Sequence, residues 1–291
     1  MSRRLANARR IEALDPRADH QEIYAISTGY EFPWDYRRAL ELALLRTFAL
    51  PSIARLLVST REFAAAGQRR YDDTAILMGE LAAHGYDSPR GRAALRRINR
   101  SHHPYPIDND AMLYVLSTFV FDPVRWIDAY GWRPLLANEK YAAYHFYREV
   151  GTRMGITDVP DSYDEFAAFN RDVEQRLHPT PDSRELSDDV LGLVASWFPR
   201  PLRGAARRLV PATFDDGLRA GLGLPDPPGW QQRLAARGLR ARASVVRRLP
   251  PRRSSAFDRA AEMFRSYPDG YDLDRVGAPH TSEGAPSRHT P

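Results

Sequence analysis

The chain contains no cysteine, which at once excludes disulfide scaffolds, cysteine zinc fingers, iron–sulfur clusters, thiolate-ligated haem and cysteine nucleophiles. Any metal would have to be held by histidine, carboxylate or tyrosine. No apolar run reaches the roughly 18–20 residues needed to cross a bilayer, and Met1-Ser2-Arg3-Arg4-Leu5 leads into polar sequence without the apolar stretch of a signal peptide. A cytoplasmic protein is therefore the expectation. Strand-like alternation is missing, as are the phosphate-binding loop, the H-E-x-x-H zinc motif and the G-x-S-x-G elbow; Gly221-Leu222-Gly223 continues into Leu224-Pro225 and not into a dinucleotide fingerprint.

What is present is 291 residues, 43% of them hydrophobic, enough to bury a substantial core. The net charge of +5 suggests a nucleic-acid partner until its distribution is read. Eight arginines and no acid lie between Pro227 and Phe257, and without those eight charges the remainder carries −3. The basic character is local, and no nucleic-acid partner is expected.

The pattern is helical nearly throughout. Residues 1–20 read as an N-terminal arm, 20–265 as one all-α domain of many helices, and 268–291 as a disordered tail rich in Gly, Pro and Ser. Apolar spacing predicts a helix from Tyr36 to Val58, divided or kinked at Pro51, and another from Arg70 to His84 with Asp72 and Asp73 in its first turn. Ser88-Pro89 opens a helix that Pro104 stops beyond His102-His103. Asn109 or Asp110 caps a central apolar helix, Met112 to Phe121, broken by Asp122-Pro123. Further helices cover Ala137 to Met154, a segment capped by Asp161 or Ser162, two stretches between Asp188 and Leu209, and Ala256 to Tyr267.

Six of the eight histidines fall in arms, loops, helix ends or charged faces. His102 differs, because it continues the row Leu95 and Ile98 at spacings of three and four, whereas His103 lies on the wet side with Arg96 and Asn99. An imidazole so placed can ligate a metal through one nitrogen while the other is held by an acceptor. On spacing alone the plainer reading comes first, a buried histidine bonded to a backbone carbonyl. Arg70, Thr74, Leu77 and Leu81 form a second stripe, a guanidinium and hydroxyl leading into apolar surface. It could hold an anionic or peroxidic ligand, or Arg70 could simply pair with Asp72 or Asp73.

The run Arg70-Tyr71-Asp72-Asp73-Thr74, followed by Arg96-Arg97-Ile98-Asn99-Arg100-Ser101-His102, resembles the catalytic domain shared by rubber oxygenase (latex-clearing protein) and the oxygenase MpaB. So do Gly131-Trp132-Arg133-Pro134-Leu135, Phe146-Tyr147-Arg148-Glu149, Val159-Pro160 and Leu218-Arg219-Ala220-Gly221-Leu222-Gly223. The order of these pieces over about residues 30–225 carries the likeness. The resemblance implies globin-like helical packing around a b-type haem, with His102 as iron ligand and Arg70 and Thr74 as distal catalytic and cofactor-contacting groups. It implies an oxygenase that activates O₂ on that haem and acts on a small apolar, isoprenoid or alkene-bearing molecule. A non-catalytic helical haem- or lipid-binding protein is the alternative.

Three departures stand out. Asp73 occupies the position of the family's distal lysine. The family's catalytic carboxylate has no counterpart before Arg70, where Glu62, the nearest acid, is poorly placed by spacing. His103 beside His102 could compete as ligand, and helical phase favours His102. Finally, Leu234, Leu239, Val245, Val246 and Leu249 interleave with the arginines of segment 233–253. That is the pattern of a peripheral membrane helix, or of a solvated basic face packing its apolar side on the domain, the reading favoured by the interruptions at Gly238 and Pro250.

Overall fold

The computed structural model describes residues 3–258 and 264–277, and every regular element among them is helical. After an N-terminal turn come α1 (Ala6–Ala13), α2 (His20–Ile26) and, through a wide π-type turn at Ser27–Glu31, α3 (Pro33–Thr47). Pro51 starts α4 (Pro51–Thr60), bent by 95° from α3. The helices α5 (Glu62–His84) and α6 (Pro89–His102) form a hairpin. Then follow α7 (Asn109–Tyr130), α8 (Ala137–Arg153), α9 (Tyr163–Arg176), α10 (Pro181–Ser196), α11 (Arg203–Leu209), α12 (Asp216–Leu222) and α13 (Gly229–Arg248). Among these residues no single helix is long and apolar enough to cross a membrane.

Several boundaries follow the sequence chemistry. Ser88 Oγ accepts from Gly91 N at 2.9 Å with Pro89 at the first helical position, Ser162 caps α9, and Gly85, with φ +72°, ends α5. Asp108, and neither Asn109 nor Asp110, caps α7 by accepting from Ala111 N at 2.8 Å.

Two cores result. The larger gathers Tyr24, Phe32, Leu77, Leu81, Leu95, Ile98, Leu113, Val120, Phe146 and Tyr147 from α2, α5, α6, α7, α8 and the turn before α3. Here α8 lies so close to α7 that a Cβ on Gly151 would stand 2.5 Å from Leu116 Cδ2. The smaller core joins Leu45, Phe48 and Phe63 to Leu186, Val190, Leu218 and Leu222. Where the two cores meet, Arg46 pairs with Asp122 at 2.9 Å, with Glu174 at 3.6 Å and with Asp215, the cap of α12. A second clamp lies under α8, where Arg133 donates to Glu139 at 2.6 Å and to Glu31 at 3.2 Å, and Trp132 Nε1 donates to the Glu31 carbonyl at 3.1 Å.

The structure corrects several expectations. Helix α7 runs straight through Asp122-Pro123, because burial of Asp122, Pro123, Trp126 and Ile127 supports the turn that proline's missing N–H would otherwise weaken. Helix α5 begins eight residues before Arg70, so Asp72 and Asp73 sit well inside it and meet no helix N-terminus. Helix α10 starts at Pro181, and the Gly- and Arg-rich stretch forms the continuous helix α13.

The expected helix Ala256 to Tyr267 lies partly outside the described residues, and residues 264–267 are not helical, with a turn at 265–266. The expected tail is ordered as far as residue 277, with Val276 fully buried; residues 278–291 lie outside the description. The N-terminal arm also joins the fold, since Ile11 packs with Ile23, Ile26 and Ala142.

Candidate functional site

The hairpin of α5 and α6 brings the two stripes read from sequence onto one region. Leu77 and Leu81 from α5 meet Leu95 and Ile98 from α6 in the larger core, and both rows end in polar groups, Arg70-Thr74 on one helix and His102 on the other. The apolar rows set the phase of each helix, and the polar ends are carried along with it.

His102 is half-buried at the end of α6 and Nδ1 lies 2.8 Å from the Ile98 carbonyl. A carbonyl can only accept, so Nδ1 carries the hydrogen and the lone pair of a neutral ring resides on Nε2. Burial lowers the pKa of His102 from its ordinary value near 6.5, the Ile98 hydrogen bond works against that, and the charge of Arg70 lowers it further. Burial thus favours the neutral imidazole, whose unshared electron pair lies on Nε2. His102 and His103 line a cleft of about 430 Å³ together with Asn99, Tyr105, Met112 and Ile156, a size within the range of small-molecule sites. His103 is exposed, and no ring hydrogen bond fixes its tautomer among the described residues.

One turn of α5 organises the opposing group. Arg70 Nη1 donates to Thr74 Oγ1 at 2.6 Å, while that hydroxyl donates its own hydrogen to the Arg70 carbonyl at 3.1 Å. The threonine therefore holds the guanidinium on the helix surface. Arg70 keeps 27% of its side chain exposed and meets one carboxylate, Glu62, at 3.6 Å, longer than a hydrogen bond. Among the described residues, Thr74 Oγ1 is the acceptor within hydrogen-bond distance of its five N–H donors.

Glu62, poorly placed by sequence spacing, lies beside Arg70 in the structure. On a straight helix eight residues span about 12 Å and end about 80° around the axis, but Ala66 adopts φ −145° and ψ 39°, kinking α5 so that Glu62 turns back onto Arg70. Burial raises the Glu62 pKa, Arg70 opposes the rise and Asp73 adds to it. Asp72 and Asp73 do not pair with Arg70. They anchor the C-terminal segment: Ser266 N donates to Asp72 Oδ2 at 2.9 Å and the Tyr267 hydroxyl to Asp73, while Tyr271 donates to Glu80 at 2.6 Å and Arg97 to the Val276 carbonyl. Residues 264–277 thus strap the helix that carries Arg70 and Thr74. Glu62 and the strap were the parts of this region missed from sequence. A glycine after the Phe63-Ala64-Ala65-Ala66 run is a weak hint of the kink, and the aromatic spacing Phe264, Tyr267, Tyr271 is the hint of the strap.

Histidine, cysteine and carboxylate side chains form no group of three that could hold a metal among the described residues. His102 and His103 are the histidines of the cleft, and the charge of Arg70 on α5, held by Thr74 and close to Glu62, is felt at His102.

A cleft of small-molecule size in an all-α domain, lined by His102 at the end of α6 and by residues at the start of α7 and the end of α8, defines a candidate ligand-binding site. The chain belongs to the family described as ER-bound oxygenase mpaB/B′/rubber oxygenase, catalytic domain, whose model matches residues 36–248. It is 29% identical over 263 residues to the ER-bound oxygenase mpaB′ of Penicillium brevicompactum, covering 83% of this chain and 61% of that protein. It is 28% identical over 218 residues to the ER-bound oxygenase mpaB of Penicillium roqueforti (strain FM164), covering 68% and 73%. The chain thus spans about three fifths to three quarters of these two relatives. The fold is shared with latex clearing protein in its closed state, with a TM-score of 0.50, 19% identity and coverage of 87% of this chain and 73% of that one.

Proposed function

We propose that this chain is a haem-dependent oxygenase that uses O₂ on an apolar, alkene-bearing small molecule of isoprenoid type. The observation that carries the proposal is the His102 ring: its Nδ1 hydrogen is taken by Ile98, its Nε2 is left as donor, and it faces the region of Arg70. One histidine is the right number of protein ligands for an iron that brings four porphyrin nitrogens, so the residues present fit haem b. When bound there, the haem supplies dioxygen binding and redox chemistry.

The remaining work falls to the chain's own groups. The Ile98 carbonyl fixes the tautomer and orientation of His102. Arg70, steadied by Thr74, offers fixed N–H donors to negative charge developing on oxygen, at no cost of reorientation. Glu62 holds a proton more readily than an ordinary carboxyl and can give or take it beside Arg70. Ile107, Met112 and Ile156 give the cleft beside His102 apolar walls that suit an apolar substrate, and Leu77 and Leu81 pack α5 against α6 behind it.

The test is oxygen uptake together with aldehyde or ketone products, using isoprenoid alkenes and the haem-loaded chain. Turnover is expected in the wild type and is expected to fall about 100-fold in Arg70→Ala while haem content is retained. A haem-loaded chain that consumes no oxygen with any such substrate would support the alternative, a non-catalytic haem- or lipid-binding protein.

A further inference from the structure

We propose that the outer face of α13 docks on an anionic lipid bilayer. The two faces of this helix differ sharply. Its inner side carries the buried Ala243 and the partly buried Leu239 and Val246, which pack on the larger core. On the same side Arg242 pairs with Asp35 at 2.9 Å, its guanidinium 3.7 Å from the Trp34 ring centroid. These contacts fix how the helix is rotated about its axis.

With the inner side fixed, the outer side divides into two parallel stripes. Trp230, Leu234, Ala241 and Val245 follow one another at spacings of four and seven, and Leu249 continues the row one turn beyond. The four large apolar residues are 52–57% exposed. Beside them run Arg233, Arg237, Arg240 and Arg247, all exposed and none paired with a carboxylate among the described residues. From Pro227 to Phe257 the sequence offers no acid at all.

An apolar stripe next to a basic stripe along a helix of about 30 Å matches a bilayer interface in two ways. The apolar side chains enter the headgroup–acyl boundary, and the arginines meet anionic headgroups. A protein partner would leave unexplained why every charge on the face has one sign. A nucleic acid would meet the arginines but leave Leu234 and Val245 in water. The packing of Leu239 and Val246 on the domain and the exposure of the outer stripe hold together, so the two alternatives read from this segment in the sequence describe opposite faces of one helix.

The test is flotation of the full chain with vesicles of phosphatidylcholine alone and of phosphatidylcholine containing 30% phosphatidylserine, about 30% being enough to give a negative surface potential. Binding is expected to the anionic vesicles, weakening with salt, with at least tenfold less on the neutral ones. The double variant Leu234→Glu/Val245→Glu is expected to abolish flotation, and the triple variant Arg233→Gln/Arg237→Gln/Arg240→Gln to remove the preference for anionic lipid. All five positions are exposed, and an unchanged helical circular dichroism signal confirms that each variant is folded. Failure of the wild type to float, equal binding to both vesicles, binding unchanged in either variant, or retention on DNA with none on vesicles would each overturn the proposal.

Discussion

Arg46 and Arg70 sit on neighbouring parts of the same scaffold and show two opposite uses of a guanidinium. Arg46 is 1% exposed and surrounded by Asp122, Asp215 and Glu174. Burial works against its charge, but the three carboxylates outweigh it and push its pKa up. Arg70 is 27% exposed, has among the described residues one carboxylate, at 3.6 Å, and is held in place by a hydroxyl on its own helix. Saturation marks a side chain whose partners are all internal, as at Arg46, which ties α3 to α7, α9 and α12. Incomplete saturation beside a neutral histidine marks a side chain with donors left for something else.

This contrast can be broken by mutation. The largest effect is expected at Arg46→Ala, which leaves the buried Asp122 with Arg125 alone and uncouples Glu174 and Asp215 from α3, and should cost about 3–5 kcal/mol of unfolding free energy in a denaturant titration. Arg70→Ala should stay within about 1 kcal/mol of wild type in the same titration. Equal losses at the two sites would erase the distinction between them.

A smaller effect sharpens the role of the strap. Tyr271→Phe removes the hydroxyl that donates to Glu80 and should cost about 1.5–3 kcal/mol, the range for a hydrogen bond to a charged group. Burial alone would raise the Glu80 pKa, but hydrogen bonds from Arg90 and Tyr271 and the nearby charges lower it below its ordinary 4.5. In this pH range the unfolded state binds more protons, so the stabilisation is complete above about pH 4.5 and is lost as the pH falls through the lowered native value. Urea titrations between pH 3 and 7 should therefore show a shallower acid loss in Tyr271→Phe, and parallel curves would contradict the assignment.

Much of this was legible in the residues themselves. The row Leu95, Ile98, His102 and the stripe Arg70, Thr74, Leu77, Leu81 are set by helical period, which depends on local spacing alone, and the structure sets both along the hairpin core. The Ser88-Pro89 start of α6 is equally local. The parts that were not legible depend on contacts between distant segments. Asp72 and Asp73 have the spacing of a first-turn pair, and only the return of residues 264–277 shows what they bind. Pro123 breaks an isolated helix but not one whose flanking turns are buried. Glu62 needed the kink at Ala66, for which the alanine run gives almost no signal. Gly238 weakens an isolated helix, yet packing of Leu239, Arg242 and Val246 carries α13 across it.

The central claim is that His102 is the iron ligand of a haem pocket facing Arg70 and Thr74. It is tested most directly by titrating the purified chain with haemin and recording the Soret band in wild type, His102→Ala and His103→Ala. A saturable band in wild type and His103→Ala that is lost in His102→Ala and restored by added imidazole is the expected result. A wild-type chain that stays colourless, or a band unchanged in His102→Ala, would contradict it.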